Sequence, residues 1–185
     1  LPNIEHLWVN IRDSHLTPLG GPWGGIASHK EVFNQAGYFH PSGLVETCSA
    51  TSWLTLSQQL FLVTGNPRYL DEVERVLLNT LLGAQDLNGE DWCYFTFPNG
   101  PRNNTYYWAC CKSSGALALE ASTRVVVTES AGVPHLNILT SCNFITNSGC
   151  NVTVKFEGGN LVLISDTVTP LAVHIPPYAR ISRKP

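Results

Sequence analysis

The sequence predicts an α+β chain, helical over residues 1–124 and built of strands over residues 125–185. Three observations predict it. Before Arg124 the apolar residues recur at helical spacing. Gly/Pro-rich loops separate those stripes. After Arg124, β-branched residues and short alternations take over.

The first helix is expected over 3–15, with Ile4, Leu7, Trp8 and Ile11 on one face. Pro18 and the run Gly20-Gly21-Pro22-Trp23-Gly24-Gly25 end it. No GxxxxGK[ST] pattern follows, so this loop is not a phosphate cradle. The segment His29–Gly43 is polar and aromatic and reads as a long loop over a site. A second helix spans 48–63, with Trp53, Leu56, Leu60 and Val63 as its stripe, and Gly65 stops it. Asn66 as cap and Pro67 at the first helical position start the next. That helix buries Leu70, Val73, Leu77 and Leu81 and ends at Gly83, so 48–83 is an antiparallel hairpin. Glu72, Glu74 and Arg75 read as its charged surface. Asp86–Gly89 is turn chemistry, Trp92–Phe97 is a short strand or a site-lining segment, and 113–124 is a further helix. Five strands are expected beyond it: 125–128, 136–139, 151–156, 161–164 and 171–175. Glu157-Gly158-Gly159-Asn160 is the best hairpin loop among them.

Composition narrows the function. Charged residues make up 14% of the 185, against about 25% in an average domain. A net charge of −3 leaves no electrostatic footprint for nucleic acid. No apolar run approaches the roughly 18 residues of a membrane span. The chain opens on Leu1 and contains no methionine, so the native N-terminus is expected upstream and the chain is read as part of a longer protein. Two sequons, at Asn103 and Asn151, matter only in a secreted protein, and the compartment stays open. Cys142 and Cys150 flank a polar turn and are either a pair in an oxidising compartment or two free thiols.

Chemistry concentrates in two clusters, Glu46-Thr47-Cys48 and Cys110-Cys111. Thiolate and carboxylate are both ordinary zinc ligands, and four such groups complete a tetrahedral site. A metal-held thiolate is a nucleophile at neutral pH, because the metal removes the proton a free cysteine keeps. The competing reading is buried cysteines beside an unrelated acid, since no CxxC pair is present.

Order along the chain carries more than either cluster. Ser28-His29-Lys30-Glu31-Val32-Phe33 is followed by Val45-Glu46-Thr47-Cys48, then by Asn66-Pro67-Arg68-Tyr69-Leu70-Asp71, then by Trp108-Ala109-Cys110-Cys111. Taken together these motifs resemble the β-L-arabinofuranosidase family of glycoside hydrolases, family 127 and its relatives. The resemblance covers about Trp8 to Arg124 and continues more weakly into His174-Ile175-Pro176-Pro177-Tyr178.

The resemblance implies the C-terminal part of an (α/α)6 barrel over 1–124 and the start of a β-sandwich domain over 125–185. It implies zinc held by Glu46, Cys48, Cys110 and Cys111, with Cys110 as nucleophile and Glu31 as acid/base. It places Tyr94 near the nucleophile and makes His29 a sugar-binding candidate, and the substrate a β-L-arabinofuranoside or a related glycoside. The rest of the barrel must come from a missing N-terminal half or an oligomer partner. Read from the residues alone, Glu31 is a solvated loop acid and His29 an exposed loop histidine, while Trp23, Trp92 and Trp108 serve sugar stacking or core equally well. For the acid role the resemblance implies, desolvation by the aromatic residues near Glu31 in sequence would raise its pKa, whereas Lys30 would oppose that. After the cysteine pair stands Lys112-Ser113-Ser114-Gly115, in place of the family's Pro-Pro-Asn or Tyr-Gly-Thr. A different function class uses the same ligands: a non-catalytic, zinc-stabilised carbohydrate-binding or structural module with a closed site.

Overall fold

Pro2 suits the first turn of a helix, where its missing N–H costs nothing. It opens α1 (Pro2–His15), with Glu5 in the first turn and Arg12 and His15 in the last, as the helix dipole favours. Only Trp8 and Ile11 of the expected stripe are buried, while Ile4 and Leu7 are about half exposed. Trp8 explains much of the difference, because one large indole makes most of the aromatic contact. It stacks on Trp53 at 5.3 Å, meets Tyr69 edge-on at 4.7 Å, and donates its N–H to Ser57 Oγ at 2.9 Å. Tyr69 donates to Glu5 Oε1 at 2.6 Å, which ties the helix to the hairpin that follows.

The computed structural model describes residues 1–24, 33–37, 43–97, 100, 102, 109–180 and 182. They divide into two units, Leu1–Ser122 and Thr123–Pro185. In the first unit α2 spans Thr47–Thr64 and ends at Gly65, whose φ of 67° suits glycine and whose N–H reaches Phe61 O at 2.7 Å. Its buried face is Trp53, Leu54, Ser57, Gln58 and Leu60, whereas Val63 is 68% exposed. Asn66 Oδ1 accepts the Arg68 N–H at 3.1 Å and caps α3 (Arg68–Arg75). The helix continues as a π-helical stretch, Val76–Leu81, and finishes in α4 (Leu82–Ala84). Gly83 lies inside that last turn and is not the cap expected of it.

Glu72 and Glu74 depart from the expected charged surface, at 3% and 1% exposed. Glu72 keeps an i,i+3 ion pair with Arg75 at 3.4 Å, and burial pushes its carboxyl upward despite that neighbour. Periodicity marks α3 as amphipathic, but it does not reveal that both flanks of the stripe are covered.

A two-stranded ribbon carries the site. β1 (Val45–Glu46) pairs antiparallel with β2 (Phe95–Thr96), Val45 opposite Thr96 and Glu46 opposite Phe95. Thr47 extends the pairing through its N–H to Tyr94 O at 3.0 Å and its hydroxyl to Cys93 O at 2.8 Å. α5 (Cys110–Val126) begins three residues earlier and ends two later than expected.

The second unit holds two three-stranded sheets. β3 (Val127–Ser130) and β4 (Val133–Leu136) are antiparallel, and β8 (Ala172–Val173) joins β4 in parallel. β5 (Cys142–Ile145), β6 (Asn151–Glu157) and β7 (Asn160–Ser165) form an antiparallel meander. Leu136, Cys150, Val152 and Val154 make their shared core. Gly158 and Gly159 both have positive φ, as a two-residue hairpin turn demands. Cys142 and Cys150 are free. Cys142 faces Val154, four residues along β6 from Cys150, a separation of about 13 Å that no disulfide spans.

Candidate metal centre and active site

Three chain segments converge on one point. The β1–β2 ribbon presents Glu46, the first turn of α2 presents Cys48, and the first turn of α5 presents Cys110 and Cys111. One ligand atom from each residue lies within 4.8 Å of every other. Cys48 Sγ and Cys111 Sγ are 3.2 Å apart, and Cys111 Sγ is 3.8 Å from Glu46 Oε1. A tetrahedron built on Zn–S bonds of about 2.3 Å has edges of about 3.8 Å, so the donors sit at the spacing a single small cation needs.

The donor set also fits a cation chemically. Burial holds the Cys48 thiol above its usual range, and a hydrogen bond with Ser114 partly opposes that. The Cys111 thiol is pushed up strongly, first by burial and then by Cys48. A buried thiol, a half-buried thiol and a carboxylate this close cannot all ionise unaided, whereas a divalent ion would supply the missing positive charge. Two helix N-termini, those of α2 and α5, add partial positive charge at the same point.

The four donors differ in exposure. Cys111 is 1% exposed and Glu46 and Cys48 are half-buried, while Cys110 is exposed. Tyr94 Oη lies 3.8 Å from Cys110 Sγ, and burial followed by that contact raises the phenol's pKa, so Tyr94 stays a hydrogen-bond partner and not a phenolate.

The residues after the cysteine pair, which looked anomalous in sequence, all hold the site in place. The Lys112 ammonium pairs with Asp91 at 2.6 Å. Cys48 Sγ lies 3.4 Å from Ser114 Oγ, and Thr51 donates to Ser114 O at 3.4 Å. Gly115 lets α5 press on the Trp92 indole, where any Cβ would lie 2.4 Å from the ring. Sequence reasoning missed Ser114 and the Gly115–Trp92 contact, and only the unusual run 112–115 hinted at them.

The other site expectations divide. Trp23 and Trp92 are 6% and 5% exposed and serve the core. Glu31, His29, Trp108 and the Asn103 sequon lie outside the described residues. Of that loop, residues 33–37 and Gly43 are described. Phe33 is bridged to Gly24, and Gly24 also pairs with Leu44, two residues before Glu46.

Comparison with known proteins decides the family. Residues 1–123 match the β-L-arabinofuranosidase GH127 catalytic domain. The chain belongs to the GH127 family. Solved structures agree on the fold. A GH127 β-L-arabinofuranosidase from Geobacillus stearothermophilus T6 superposes with a TM-score of 0.70 at 18% identity, over 95% of this chain and 32% of that one. A second structure, described as a glycoside hydrolase, gives 0.72 at 17% identity, over 94% of this chain and 35% of that one. This GH127 chain therefore spans about a third of the length of the solved structures it matches. No curated protein matches it. GH127 membership covers the ribbon, α2 and the start of α5, the three segments that carry the donor cluster.

Proposed function

We propose that the chain is part of a retaining glycoside hydrolase that uses a zinc-held cysteine nucleophile on β-L-arabinofuranosides or related sugars. In this reading residues 1–124 are the C-terminal part of an (α/α)6 barrel, and residues 125–185 begin a β-sandwich domain. The N-terminal part of the barrel, or an oligomer partner, supplies the rest of the pocket. The observation that carries the reading is the four-donor cluster on the GH127-matched segment, with Cys110 its exposed member.

Glu46, Cys48, Cys110 and Cys111 would hold the ion. Bound there, zinc keeps the thiols deprotonated at neutral pH. The Cys110 thiolate attacks the anomeric carbon, the glycosidic C–O bond breaks, and Glu31 gives its proton to the leaving oxygen. Glu31 then takes a proton from water, the water oxygen attacks the same carbon, and the C–S bond breaks to regenerate the thiolate. Two displacements at one carbon retain configuration. Tyr94, 3.8 Å from Cys110 Sγ, steadies the thiolate by donating its O–H. His29 binds sugar hydroxyls from the same loop as Glu31.

The competing reading is a non-catalytic zinc-stabilised module, favoured by the fact that all four donors come from protein. One experiment separates the two. In the full protein loaded with zinc, a β-L-arabinofuranosyl electrophile should alkylate Cys110, and Cys110→Ser should abolish turnover. Cys48→Ser should lose most bound zinc. A carboxylate adduct in the mass spectrum rules out the thiolate mechanism, and equal zinc in Cys48→Ser and wild type rules out the ligand set.

A further inference from the structure

A serine inside a helix ordinarily turns its hydroxyl back onto a carbonyl of its own helix, one turn earlier. Ser52 does so with Cys48 O at 2.9 Å, Ser113 with Cys110 O at 3.1 Å, and Ser122 with Ala118 O at 2.7 Å. Ser114 departs from this. Its hydroxyl lies across the gap to the neighbouring helix, 3.4 Å from Cys48 Sγ.

The placement of Ser114 follows from helix spacing. It stands three and four positions after Cys111 and Cys110 on α5, so it shares their face one turn further in. Cys48 and Thr51 stand three apart on α2 and share a face there. Ser114 meets both, its hydroxyl against Cys48 and its carbonyl accepting from the Thr51 hydroxyl at 3.4 Å. One residue therefore joins the first turns of the two helices that carry all three thiols of the cluster.

The three sulfurs are not equivalent. Cys110 Sγ lies 3.8 Å from Tyr94 Oη, Cys48 Sγ faces Ser114, and Cys111 Sγ meets Cys48 Sγ at 3.2 Å and Glu46 Oε1 at 3.8 Å. Without a metal, Cys48 carries a proton and donates it to Ser114 Oγ. A thiolate held by a metal has no proton to give. The contact then survives if the hydroxyl rotates and donates to sulfur, which a group that is both donor and acceptor can do without moving a heavy atom. An alanine there would leave the thiolate facing a methyl group.

We propose that Ser114 is a positioning residue of the metal centre: its hydroxyl reverses on metal loading and donates to the Cys48 thiolate. That bond fixes Cys48 beside Cys111 and leaves the exposed Cys110 as the sulfur that reaches a substrate. The inference rests on the ligand set given under Proposed function.

Zinc affinity of the full protein, measured by competition with pyridylazoresorcinol, tests this. Ser114→Ala should weaken zinc binding by about 10- to 100-fold, the usual effect of losing a hydrogen bond to a metal ligand. Ser114→Thr keeps a hydroxyl, and Ser113→Ala removes one that serves its own helix, so both should stay within about threefold of wild type. Alanine is the better helix former, so the metal-free melting temperature of Ser114→Ala should not fall. Lower affinity without lower stability separates a ligand-holding role from a structural one. In the cobalt-loaded protein, the thiolate-to-cobalt charge-transfer band should move to longer wavelength in Ser114→Ala, because a sulfur lone pair loses its donor. The proposal is overturned if Ser114→Ala binds zinc within about threefold of wild type, or if its loss of affinity comes with a lower metal-free melting temperature and an unmoved cobalt band. Cys48→Ser keeps the two readings apart. Zinc retained by Cys48→Ser defeats the ligand set itself, whereas zinc lost from Cys48→Ser but kept by Ser114→Ala defeats only the role of Ser114.

Discussion

Replacing Gly115 by alanine sets two physical effects against each other. On helix propensity alone, the substitution inside α5 should stabilise by about 1 kcal/mol. The surroundings say otherwise. A Cβ at 115 would lie 2.4, 2.5 and 2.8 Å from three atoms of the Trp92 indole, against normal carbon contacts of about 3.5–4.0 Å. Something must retreat by about 1 Å. Trp92 is poorly placed to yield. It is 5% exposed, its backbone N–H is bonded to Asp91 Oδ1 at 2.8 Å, and its backbone is bridged to Gln85. The start of α5 must therefore move, and Cys110 and Cys111 move with it. Overpacking of this size costs about 1–3 kcal/mol, so the net change is a loss of about 0–2 kcal/mol. The site suffers more, because ligand distances tolerate only about 0.2 Å and a misplaced reacting atom costs up to about a hundredfold in rate. In the full protein, Gly115→Ala should release zinc to a chromophoric chelator faster than wild type. It should also lower kcat/KM on an aryl β-L-arabinofuranoside by about 10- to 100-fold. A higher melting temperature with unchanged zinc retention would refute the reasoning, because propensity would then have outweighed the contact.

Glu31→Gln should slow hydrolysis of substrates with poor leaving groups far more than that of aryl glycosides, and a uniform loss would make Glu31 a positioning group. The raised thiol pKa values of Cys48 and Cys111 make the metal-free fold pH-sensitive in a defined direction. Their contribution is full below about pH 8.5, the unfolded value, and is lost as pH rises through the higher folded values. With chelator present, the denaturation midpoint should fall between about pH 8 and 10, and the zinc-loaded protein should hold its midpoint over that range. An equal decline in both forms would detach the effect from these thiols. Residues 1–185 alone should be inactive and self-associating, since Leu7, Val63 and Leu117 expose 53, 68 and 62% of their surface on three helices. Sedimentation showing a monomer with a sharp transition and arabinofuranosidase activity contradicts this.

Helices were legible wherever local chemistry decides them. Gly65 stops α2 through its left-handed φ, and Asn66 caps α3 through its side chain, each within a few residues of sequence. The π-helical stretch Val76–Leu81 was not legible, because its residues are ordinary helix formers. β5 escaped notice because Cys142–Ile145 has little apolar alternation and earns its place only by pairing with β6. Glu72 and Glu74 misled because charge predicts exposure, and here tertiary packing overrides it. The donor cluster was legible as two short motifs, but their meeting in space depends on the ribbon and on two helix starts that no local pattern reveals.

Cys48 and Cys111 are 63 positions apart in the chain. An ion shared between them ties off a long loop, in the manner of a covalent bridge. Closing a loop of that length in the unfolded ensemble removes conformational freedom worth about 4 kcal/mol. Much of what zinc contributes would therefore lie in the disordered chain and not in the folded site. Loading and folding would become a single event, and the α2–α3 hairpin, which lies inside the loop from Cys48 onward, would be held at its first turn by the ion.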